Sequence, residues 1–498
     1  MFRKVLIANR GEIAVRVIRT LREMQIASVA VFSDADRASL HVRMADEAEW
    51  VGPSPSSESY LRIDRILDAA RRHGAEAIHP GYGFLSENAD FAAACEAAGI
   101  VFIGPSAESI RHMGSKTAAR QMAIAAGAPV VPGAHETLSG PADARAFAQQ
   151  FGYPLLLKAV AGGGGKGMRR VDSDGELDAA FRDASSEAER AFKNPDLYVE
   201  KLIDRPRHIE IQLLGDRHGH MVHFGERECS IQRRHQKVME ECPSPLVAAR
   251  PGMREAMGEA AIRVARSAGY YNAGTVEFLV DAGGDFYFLE MNTRLQVEHP
   301  ITELVTGHDL VRLQLEVAAG EKLRLRQEDI AWGGAAIECR IYAEDPYNNF
   351  FPSPGKITRL TRPEGPGVRL DGCVYDGWSV PIDYDPLLAK LAVWNGTRET
   401  AIARMARALR EYEVAGIHTN IAFFREMLKD EEFRAGRLHT HFVDEFLRRR
   451  KPSPPPPDLE PIAALVAAFH SKRSTPRAES ARGPRSRWLD IGRREALR

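Results

Sequence analysis

Short apolar runs alternate with helical patterns over the first hundred residues of the chain. Residues 5–8 form an apolar run, and apolar side chains then recur at helical spacing over 12–24. Three further strand-like runs follow at 28–32, 75–79 and 100–103, each after a helical segment. Strands that alternate with helices in this way predict a doubly wound parallel sheet, so we expect an α/β fold here.

This first region does not carry the glycine fingerprint of dinucleotide-binding domains. The nearest match is GYGFLS at residues 81–86, in which Ser86 takes the place of the third glycine. The pattern therefore argues against a dehydrogenase of the Rossmann type.

The middle of the chain changes its pattern several times. Residues 106–127 have helical spacing, 208–300 are rich in strand patterns, and a helix is expected near 308–319. Residues 334–442 combine hairpin-like strands, up to Trp394, with two expected helices after Thr397. The body of the protein is therefore expected to mix α/β and α+β regions.

The last part of the chain has a different composition. KPSPPPPD, from Lys451, predicts a proline-rich linker, and residues 451–498 hold ten Lys and Arg against five Asp and Glu. We expect this tail to be mostly flexible, with one short amphipathic helix near 459–470. Docking of the basic tail on a partner protein is the alternative to simple solvation.

Length, composition and charge exclude several classes of protein. A chain of 498 residues is expected to form two to four units. Its 67 Lys and Arg balance 68 Asp and Glu, which gives no support to a nucleic-acid or membrane-surface role. The five cysteines have no CxxC spacing, and no apolar stretch approaches eighteen residues. With an N-terminal apolar run too short for a signal peptide, we expect a cytoplasmic protein.

A glycine-rich segment, AGGGGKGM at 161–168, follows an apolar strand that ends at Lys158. Glycines allow backbone N–H groups to approach phosphate oxygens closely. The segment is not a Walker A loop, because Val160 stands where the first glycine belongs and Gly167 follows Lys166. It is either a mobile phosphate-binding flap or a flexible surface hairpin.

Lys116 and Lys158 both lie at the boundaries of expected elements. Most lysines are solvated surface charges. However, Lys158 follows Leu155, Leu156 and Leu157 in a strand that is expected to be buried. A buried lysine needs an anion, and a nucleotide phosphate would supply one.

A predicted β-hairpin brings two carboxylates together. The runs AGTVEFLV (273–280) and DFYFLEMN (285–292) are separated by a short, glycine-containing turn. Pairing across it places Glu277 opposite or next to Glu290, where like charges repel. With Asn292 they offer the hard oxygen ligands that Mg²⁺ or Mn²⁺ prefers, whereas two solvated glutamates would be the alternative.

Polar residues continue on every second position after this strand, at Glu290, Asn292, Arg294, Gln296 and Glu298. A fully extended segment would spread them over roughly 26 Å, too far for one reacting centre. We therefore expect a bend between Asn292 and Arg294. The first two residues suit a metal, Arg294 suits a small planar anion, and Glu298 can act as a base.

A basic cluster lies near this stretch in the sequence. ERECSIQRRHQKV holds Arg227, Arg233, Arg234, His235 and Lys237, which would bring cations to a site that holds phosphates and an anion. A solvated basic face is the alternative. His208, in the strand HIEIQLLG, shares a face with Glu210 and Gln212 and is by itself no more than a structural histidine.

Taken together, these motifs resemble the ATP-grasp enzymes and, within them, the biotin carboxylases. The resemblance covers about residues 1–446 and rests on KVLIANRGEIAVRVIRT, HPGYGFLSEN, FIGPS, GGGGKGM, RHIEIQ, CSIQRRHQKV and EMNTRLQVEHPITE. It implies a pre-ATP-grasp (Rossmann-like) domain at 1–113, an ATP-grasp domain at 114–330 with a mobile lid at about 131–203, and a C-terminal biotin carboxylase domain at 331–446. The linker and tail would follow at 447–498.

The resemblance also implies a reaction and the residues that carry it. Bicarbonate would attack Mg·ATP (or Mn·ATP) to give carboxyphosphate, and the carboxyl group would pass to biotin on a carrier protein. The implied ATP-binding residues are Lys116, Lys158, Gly164, Gly165, Glu200, Lys201, Leu202, Ile203, His208, Gln232, His235, Glu277, Leu279 and Glu290.

The same resemblance assigns the metal and the acceptor side. Glu277, Glu290 and Asn292 would hold the metal ions. Lys237, Arg294, Gln296 and the Val297 backbone would hold bicarbonate, and Glu298 would be its base. Arg340 would stabilise the biotin enolate, with Tyr82 nearby. Arg294, Glu298, Lys237 and Arg340 are thus the expected catalytic residues.

Partners follow from the resemblance as well. A homodimer is expected, and Arg16, Arg19 and Glu23 share one face of the first helix that could form its contact. PEGPGV at 363–368 lacks a bulky aromatic that some dimeric members have. The chain has no biotinyl sequence of the Ala-Met-Lys-Met type, so a separate biotin carboxyl carrier protein is expected.

The holoenzyme would also contain carboxyltransferase subunits, which choose the final acceptor. Acetyl-CoA, and with it fatty acid biosynthesis, is the first expectation. Propionyl-CoA, methylcrotonyl-CoA and pyruvate remain open.

Two other functions also remain open at this point. An ATP-grasp ligase that joins a carboxylate to an amine would need neither the base Glu298 nor Arg340. A nucleotide-binding regulatory module without catalysis would be expected to lack a metal carboxylate or the base, yet Glu277, Glu290, Arg294 and Glu298 are all present.

Overall fold

The computed structural model describes residues 1–133, 137–160, 168–192, 194–450 and 459–474. Met1–Phe446 form one compact unit, and Leu447–Arg498 form a second. Among the helices of the described residues, none combines the length and the apolar character that a membrane span requires.

The first part of the chain folds as a parallel sheet with helices between its strands. The elements are β1 (Lys4–Ile7), α1 (Gly11–Glu23), β2 (Ala27–Ser33), α2 (Leu40–Met44), β3 (Glu47–Gly52), α3 (Ile63–His73), β4 (Ala77–His79), α4 (Ala89–Ala97), β5 (Val101–Phe102) and α5 (Ala107–Gly114). The strands pair in the order β3-β2-β1-β4-β5, and every pair is parallel. This confirms the predicted doubly wound sheet. The edge strand β3 was not predicted, because its sequence EAEWVG contains two glutamates and no continuous apolar run, and only Val51 and Gly52 are buried.

A small antiparallel sheet with its own core follows. The elements are α6 (Lys116–Ala125), α7 (Pro141–Phe151), β6 (Leu155–Ala159), β7 (Met168–Val171), α8 (Asp174–Phe192) and β8 (Leu197–Lys201). The strands pair in the order β7-β6-β8. Apolar side chains of the sheet, such as Leu155, Leu157 and Val199, pack with Ala144 and Leu177 of the two helices α7 and α8. The sheet and its two helices thus have a hydrophobic core of their own.

The next segment supplies five strands of a large antiparallel sheet. The elements are β9 (Arg207–Gly215), β10 (Met221–Arg233), β11 (Gln236–Cys242), α9 (Pro245–Ala248), α10 (Met253–Ser267), β12 (Asn272–Val280), β13 (Phe286–Asn292), α11 (His299–Thr306) and α12 (Leu310–Ala318). Helix α10 covers one face through Met257, Ala261 and Val264, which pack in one core with Ile209 and Val276.

The segment after residue 330 extends the same sheet. Its strands are β14 (Ala335–Tyr342), β15 (Glu344–Asp345), β16 (Phe351–Pro352), β17 (Gly355–Lys356), β18 (Arg359–Thr361), β19 (Val368–Gly372), β20 (Ser379–Val380), β21 (Leu387–Asn395) and β22 (Glu413–Ala415). The sheet order is β13-β12-β9-β10-β11-β14-β21-β19. The domain boundary predicted near residue 330 therefore falls between strands of one continuous sheet.

Between Thr397 and Arg449 the structure describes four helices, where two were predicted. They are α13 (Arg398–Glu411), α14 (Ile421–Met427), α15 (Glu431–Arg434) and α16 (Phe442–Arg449). The shortest pieces are too brief for a helical period to be visible in the sequence. Thr397 begins α13 as an N-cap, because its hydroxyl accepts a hydrogen bond from the Thr400 N–H at 3.2 Å.

The second unit contains α17 (Leu459–Ser474). This helix includes the stretch 459–470 where one was predicted and runs four residues further, but Ala463, Ala464 and Ala467 lie opposite its large apolar residues, so the predicted amphipathic pattern is not found. Ile462, Leu465, Val466 and Phe469 are exposed and lie on one face by their i, i+3, i+4, i+7 spacing. The proline-rich linker and the end of the tail lie outside the described residues.

Candidate active site

The predicted hairpin forms, and it opposes two carboxylates. Strands β12 and β13 pair antiparallel with Glu277 directly opposite Glu290. Burial and the neighbouring charge of Glu277 raise the pKa of Glu290. Burial alone would also raise the pKa of Glu277, but Lys237 and His208 outweigh it and hold that pKa far below its usual range. The two carboxylates thus repel each other, and Lys237 and His208 offset this repulsion at Glu277.

Lys237, on β11, is the cation at the centre of the site. Its Nζ donates to Glu210 Oε2 at 2.5 Å, to Glu277 Oε1 at 2.7 Å and to Glu298 Oε1 at 2.8 Å. Burial would lower the pKa of Lys237, yet the three carboxylates raise it well above its usual value. A permanent ammonium therefore joins the predicted metal residues to the predicted base.

Glu298 is completely buried and lies between two cations. Arg340 of β14 donates to Glu298 Oε2 at 2.8 Å, opposite the bond from Lys237. Arg340 is itself held by Glu240, with Nε 2.6 Å from Oε1. Burial favours the neutral acid, but Lys237, Arg340 and Arg227 hold the pKa of Glu298 well below its usual range. Glu298 is consequently ionised before any substrate binds.

The bend predicted after the strand is present. Strand β13 ends at Asn292, a bend follows at Thr293 and Arg294, and Glu298 directly precedes helix α11. The five polar residues therefore converge instead of spreading along an extended chain. The prediction that the chain bends between Asn292 and Arg294 is confirmed.

Arg294 ties this bend together. Its guanidinium donates to Asn292 Oδ1 at 3.0 Å and to Gln296 Oε1 at 2.9 Å. Gln296 and Asn292 in turn donate to Glu277 Oε1, at 3.3 and 2.9 Å. On its other side, Arg294 Nε donates to Glu87 at 2.8 Å. In this structure the guanidinium is thus bonded to protein acceptors, and the planar anion site suggested by the sequence stays a prediction.

The predicted nucleotide residues of the small sheet lie on adjacent strands. Lys158 of β6 forms an ion pair with Glu200 of β8. The anion that balances Lys158 in this structure is therefore a carboxylate. The Lys201 ammonium donates hydrogen bonds to the carbonyl oxygens of Gly152 and Tyr153.

The remaining predicted residues of this part fall into two groups. Leu202 and Ile203 follow β8 and are half-buried, whereas Lys116 begins α6 and is exposed. Gly164 and Gly165 lie outside the described residues.

The other predicted nucleotide residues lie on the large sheet. His208 is buried with Nε2 3.0 Å from Glu277 Oε2, and its cross-strand partner is Leu279. Gln232 donates to the Cys229 carbonyl at 2.9 Å. His235 is exposed in the two-residue turn between β10 and β11.

That turn has an unusual backbone. Both Arg234 and His235 have positive φ, at 51° and 66°. Positive φ at two central residues is typical of type I′ hairpins but unfavourable for these side chains. Such outliers concentrate at functional sites.

The basic cluster of the sequence does not act as a unit. Arg227 is fully buried and donates to Glu210, Gln212 and Thr302, so its role is structural. Arg233 and Arg234 turn towards the following segment, to Glu344 and Asn349. Only Lys237 of the five bonds directly to the carboxylates Glu277 and Glu298. The expectation that the whole cluster faces the anions is wrong, because Arg233 pairs with Glu344 and because Arg234 and His235 lie in the turn beyond the strand ends.

Tyr82, the predicted biotin residue, lies in the loop after β4. Its hydroxyl is buried and has no hydrogen-bond partner among the described residues. A buried hydroxyl without a partner is costly, so a ligand group that accepts its proton would be favoured here.

The donor set fits a hard divalent cation. Two carboxylates that repel each other, Glu277 and Glu290, stand beside the amide of Asn292, and oxygen donors of this kind suit Mg²⁺. Among the described residues, two buried groups have metal-like spacing, His208 with Glu210 and Glu277, and Glu210 with Cys229 and Glu298. In both, Lys237 or Arg227 already supplies balancing charge, and Lys237 pairs with Glu277 as well. That Glu277, Glu290 and Asn292 hold a metal stays a prediction.

Several residues of the site were missed in the sequence. Glu87, Glu210 and Glu240 hold Arg294, Lys237 and Arg340, respectively. Glu210 shares a strand face with His208 and Gln212 in β9, and this alternation is the signal that could have revealed it. Glu240 lies in QKVMEEC, a strand of mixed polarity that gives no such signal.

The sequence and fold of this chain are similar to those of known proteins. Three family models match successive parts of the chain, "Biotin carboxylase, N-terminal domain" at 1–110, "Carbamoyl-phosphate synthase L chain, ATP binding domain" at 115–326 and "Biotin carboxylase C-terminal domain" at 338–445. The biotin carboxylase of Halalkalibacterium halodurans is 53% identical over 90% of this chain and 98% of its own length. The chain belongs to the biotin carboxylase family. The predictions of an ATP-grasp fold and of an ATP-dependent ligase are thereby confirmed.

Further relatives within this family differ in the acceptor that their names give. One subunit of the pyruvate carboxylase of Methanothermobacter thermautotrophicus is 53% identical over 90% of this chain and 91% of its own. The biotin carboxylase domain dimer of the 2-oxoglutarate carboxylase of Hydrogenobacter thermophilus was solved with MgADP, ADP and bicarbonate. It matches with a TM-score of 0.84 at 47% identity, over 91% of this chain and 100% of its own.

Proposed function

We propose that the chain uses ATP and bicarbonate to carboxylate biotin on a biotin carboxyl carrier protein, by way of carboxyphosphate. The observation that carries this proposal is the buried carboxylate Glu298, held between Lys237 and Arg340. Lys237 also contacts Glu277, a proposed metal ligand, whereas Arg340 lies on β14 in the C-terminal part of the chain. A base between these two cations is suited to take the proton of a bicarbonate ion that binds beside both.

Glu298 acts as the base for bicarbonate. In the present arrangement its pKa is depressed, so it is a weak base. Bicarbonate held by Lys237, Arg294, Gln296 and the Val297 backbone would share the charge of Lys237 and weaken its bond to Glu298. The pKa of Glu298 would then rise toward the value that proton abstraction needs.

The residues proposed to bind ATP come from the small sheet and the large sheet. They are Lys116, Lys158, Gly164, Gly165, Glu200, Lys201, Leu202, Ile203, His208, Gln232, His235 and Leu279. Bound Mg²⁺, with Mn²⁺ as a substitute, would be held by Glu277, Glu290 and Asn292 and would neutralise phosphate charge. The residues of the chain then orient the γ-phosphoryl group toward bicarbonate. Fixed cations around the transferred group are the main source of rate enhancement in such reactions.

Arg340 and Tyr82 are proposed to hold the biotin ureido group. Arg340 donates to Glu298 at 2.8 Å, and a guanidinium stabilises negative charge on an oxygen. An amine-accepting ligase would have no use for this pairing of Arg340 with a buried base, so bicarbonate and biotin are favoured as substrates.

The chain is further proposed to act as a homodimer with a carrier and carboxyltransferase subunits, since the Hydrogenobacter domain is a dimer in its crystal structure. Of the residues suggested for the contact, Arg16 is buried against Glu303 and Asp309 of its own chain. Arg19 and Glu23 are exposed and remain the candidates.

The final acceptor and the location of the protein are also proposals. Acetyl-CoA is the first acceptor to test, with pyruvate, 2-oxoglutarate and methylcrotonoyl-CoA suggested by the names of relatives. The cytoplasmic location stays a prediction.

The test is bicarbonate-dependent ADP release with and without free biotin. Stimulation by biotin is expected for the unaltered protein and not for Glu298→Gln. ADP release that biotin does not stimulate would contradict the proposal.

A further inference from the structure

A lysine without an assigned role is buried beside the acceptor side. Lys390 lies in the apolar strand β21, LLAKLAVWN, and its side chain has no exposed surface. Its Nζ donates to the carbonyl oxygen of Val297 at 2.9 Å and lies 3.2 Å from Glu12 Oε1. An ammonium buried in a strand core is costly unless it is paired and hydrogen-bonded, so these two contacts determine where it sits.

Lys390 and Arg340 act from the same sheet face. They are direct partners in the antiparallel pairing of β14 with β21, and direct partners point to one side. Arg340 holds the carboxylate of Glu298, while Lys390 holds the carbonyl of the preceding residue, Val297. Val297 and Glu298, two adjacent residues of the bend, thus each accept a hydrogen bond from one of two neighbouring cations.

Glu12 supplies the charge that keeps Lys390 in place. It lies in the first turn of α1 and is almost fully buried. Burial raises the pKa of Glu12 to about 7, against the opposing effect of Lys390. Helix α1, strand β21 and the bend therefore meet at one ammonium. The ring of Tyr82 also lies near it, with its centroid 5.7 Å from Nζ.

We propose that Lys390 is a positioning residue for the bicarbonate site, because it fixes the peptide that joins Val297 to Glu298. This inference rests on the function proposed above. Lys390 does not touch the substrate. It sets the orientation of the backbone that receives bicarbonate and of the base that follows, and Glu12 holds the ammonium in position.

The test compares Lys390→Met with the double variant Glu12→Gln/Lys390→Met. The single variant leaves the Glu12 carboxylate buried without its cation, so it is expected to lose thermal stability as well as activity. The double variant removes both charges at similar volume and is expected to recover the thermal midpoint. Lys356→Met, at an exposed lysine of β17, is the matched control.

The deciding readout is the Michaelis constant for bicarbonate measured beside that for ATP. In the double variant we expect the KM for bicarbonate to stay raised roughly ten-fold to a hundred-fold, the factor that corresponds to one lost charge-assisted hydrogen bond. The KM for ATP is expected to stay near that of the unaltered protein. A double variant with a raised KM for bicarbonate and a recovered thermal midpoint would show that Lys390 positions the bicarbonate site and does not only stabilise the fold.

Three outcomes would count against the inference. A double variant that regains both stability and a normal bicarbonate KM would show that Lys390 is structural only. Failure of both variants to fold would assign it the same structural role. Absence of bicarbonate-dependent ADP release from the unaltered protein would instead overturn the proposed function, and this inference with it.

Discussion

Lys237 and Glu298 form a buried ion pair, with Nζ 2.8 Å from Oε1. The same ammonium lies 2.7 Å from Glu277, one of the proposed metal ligands. A single cation therefore balances the carboxylates of both halves of the site. Any substrate that attracts Lys237 changes the charge felt by the base and by the metal ligands together.

Replacing Lys237 by Met is expected to inactivate and destabilise the protein. Three carboxylates, Glu210, Glu277 and Glu298, would lose a shared partner within 2.8 Å. Removing one partner of a buried ion pair typically costs about 3–5 kcal/mol. The measurement is the thermal unfolding midpoint of both proteins between pH 8 and pH 5.

The direction in which the stability of the Lys237→Met variant changes with pH shows whether lost charge or lost packing destabilises it. Without Lys237 the folded-state pKa values of these carboxylates rise above those of the unfolded chain, so the folded state binds protons more tightly. The variant therefore becomes more stable as pH falls, and the difference between its unfolding midpoint and that of the unaltered protein narrows toward pH 5. A difference that is the same at every pH would show that lost packing, not charge, is responsible.

Replacing Glu298 by Gln is expected to abolish turnover and to spare ATP binding. The amide keeps the size of the side chain but cannot take a proton, and loss of a general base lowers the rate by about 10²–10⁴-fold. Bicarbonate-dependent ADP release and calorimetric ATP binding give the two readouts. Glu328→Gln, at an exposed glutamate, serves as control. Equal loss of both functions would contradict the role of a base.

Replacing Glu290 by Gln is expected to raise the Mg²⁺ concentration needed for half-maximal activity. The substitution removes one of two opposed carboxylates and with it a ligand charge. The bicarbonate KM should change less, because Glu290 lies at the other end of the bend. An unchanged Mg²⁺ requirement would exclude Glu290 as a metal ligand.

His79 is expected to make the fold sensitive to acid. Burial lowers its pKa to about 4, and its Nδ1 accepts a hydrogen bond from the Gly81 N–H at 3.0 Å. Between pH 6.5 and pH 4 the unfolded chain binds this proton and the folded one does not. Stability present above pH 6.5 is therefore lost as pH falls, by roughly 3 kcal/mol for this shift.

The variant His79→Gln isolates this contribution. Its urea midpoint should fall less between pH 6.5 and pH 4 than that of the unaltered protein, even if it is lower throughout. Parallel midpoints over this range would show that His79 does not titrate as its burial indicates.

The hairpin and the bend could be predicted from sequence because both have local signals. A short turn separates two strand-like runs, which sets Glu277 against Glu290. Alternating polar residues too far apart for one centre required a bend after Asn292. Both arguments need only strand geometry and the chemistry of the side chains.

The charge network could not be predicted in the same way. Glu87, Glu240 and Lys390 come from segments far apart in the chain, and strand pairing alone brings the last two near the bend. The cluster around Arg227 was misjudged for a related reason, since its members have partners that are distant in the chain, Thr302 for Arg227 and Glu344 for Arg233. Pairing register decides these contacts, and no local pattern reveals it.

The most direct test of the account is transfer of label from radiolabelled bicarbonate to biotin. The unaltered protein with Mg·ATP is expected to form labelled carboxybiotin, while Glu298→Gln forms none. Label that stays in bicarbonate while ATP is hydrolysed, or label that passes to an amine instead of biotin, would contradict the account.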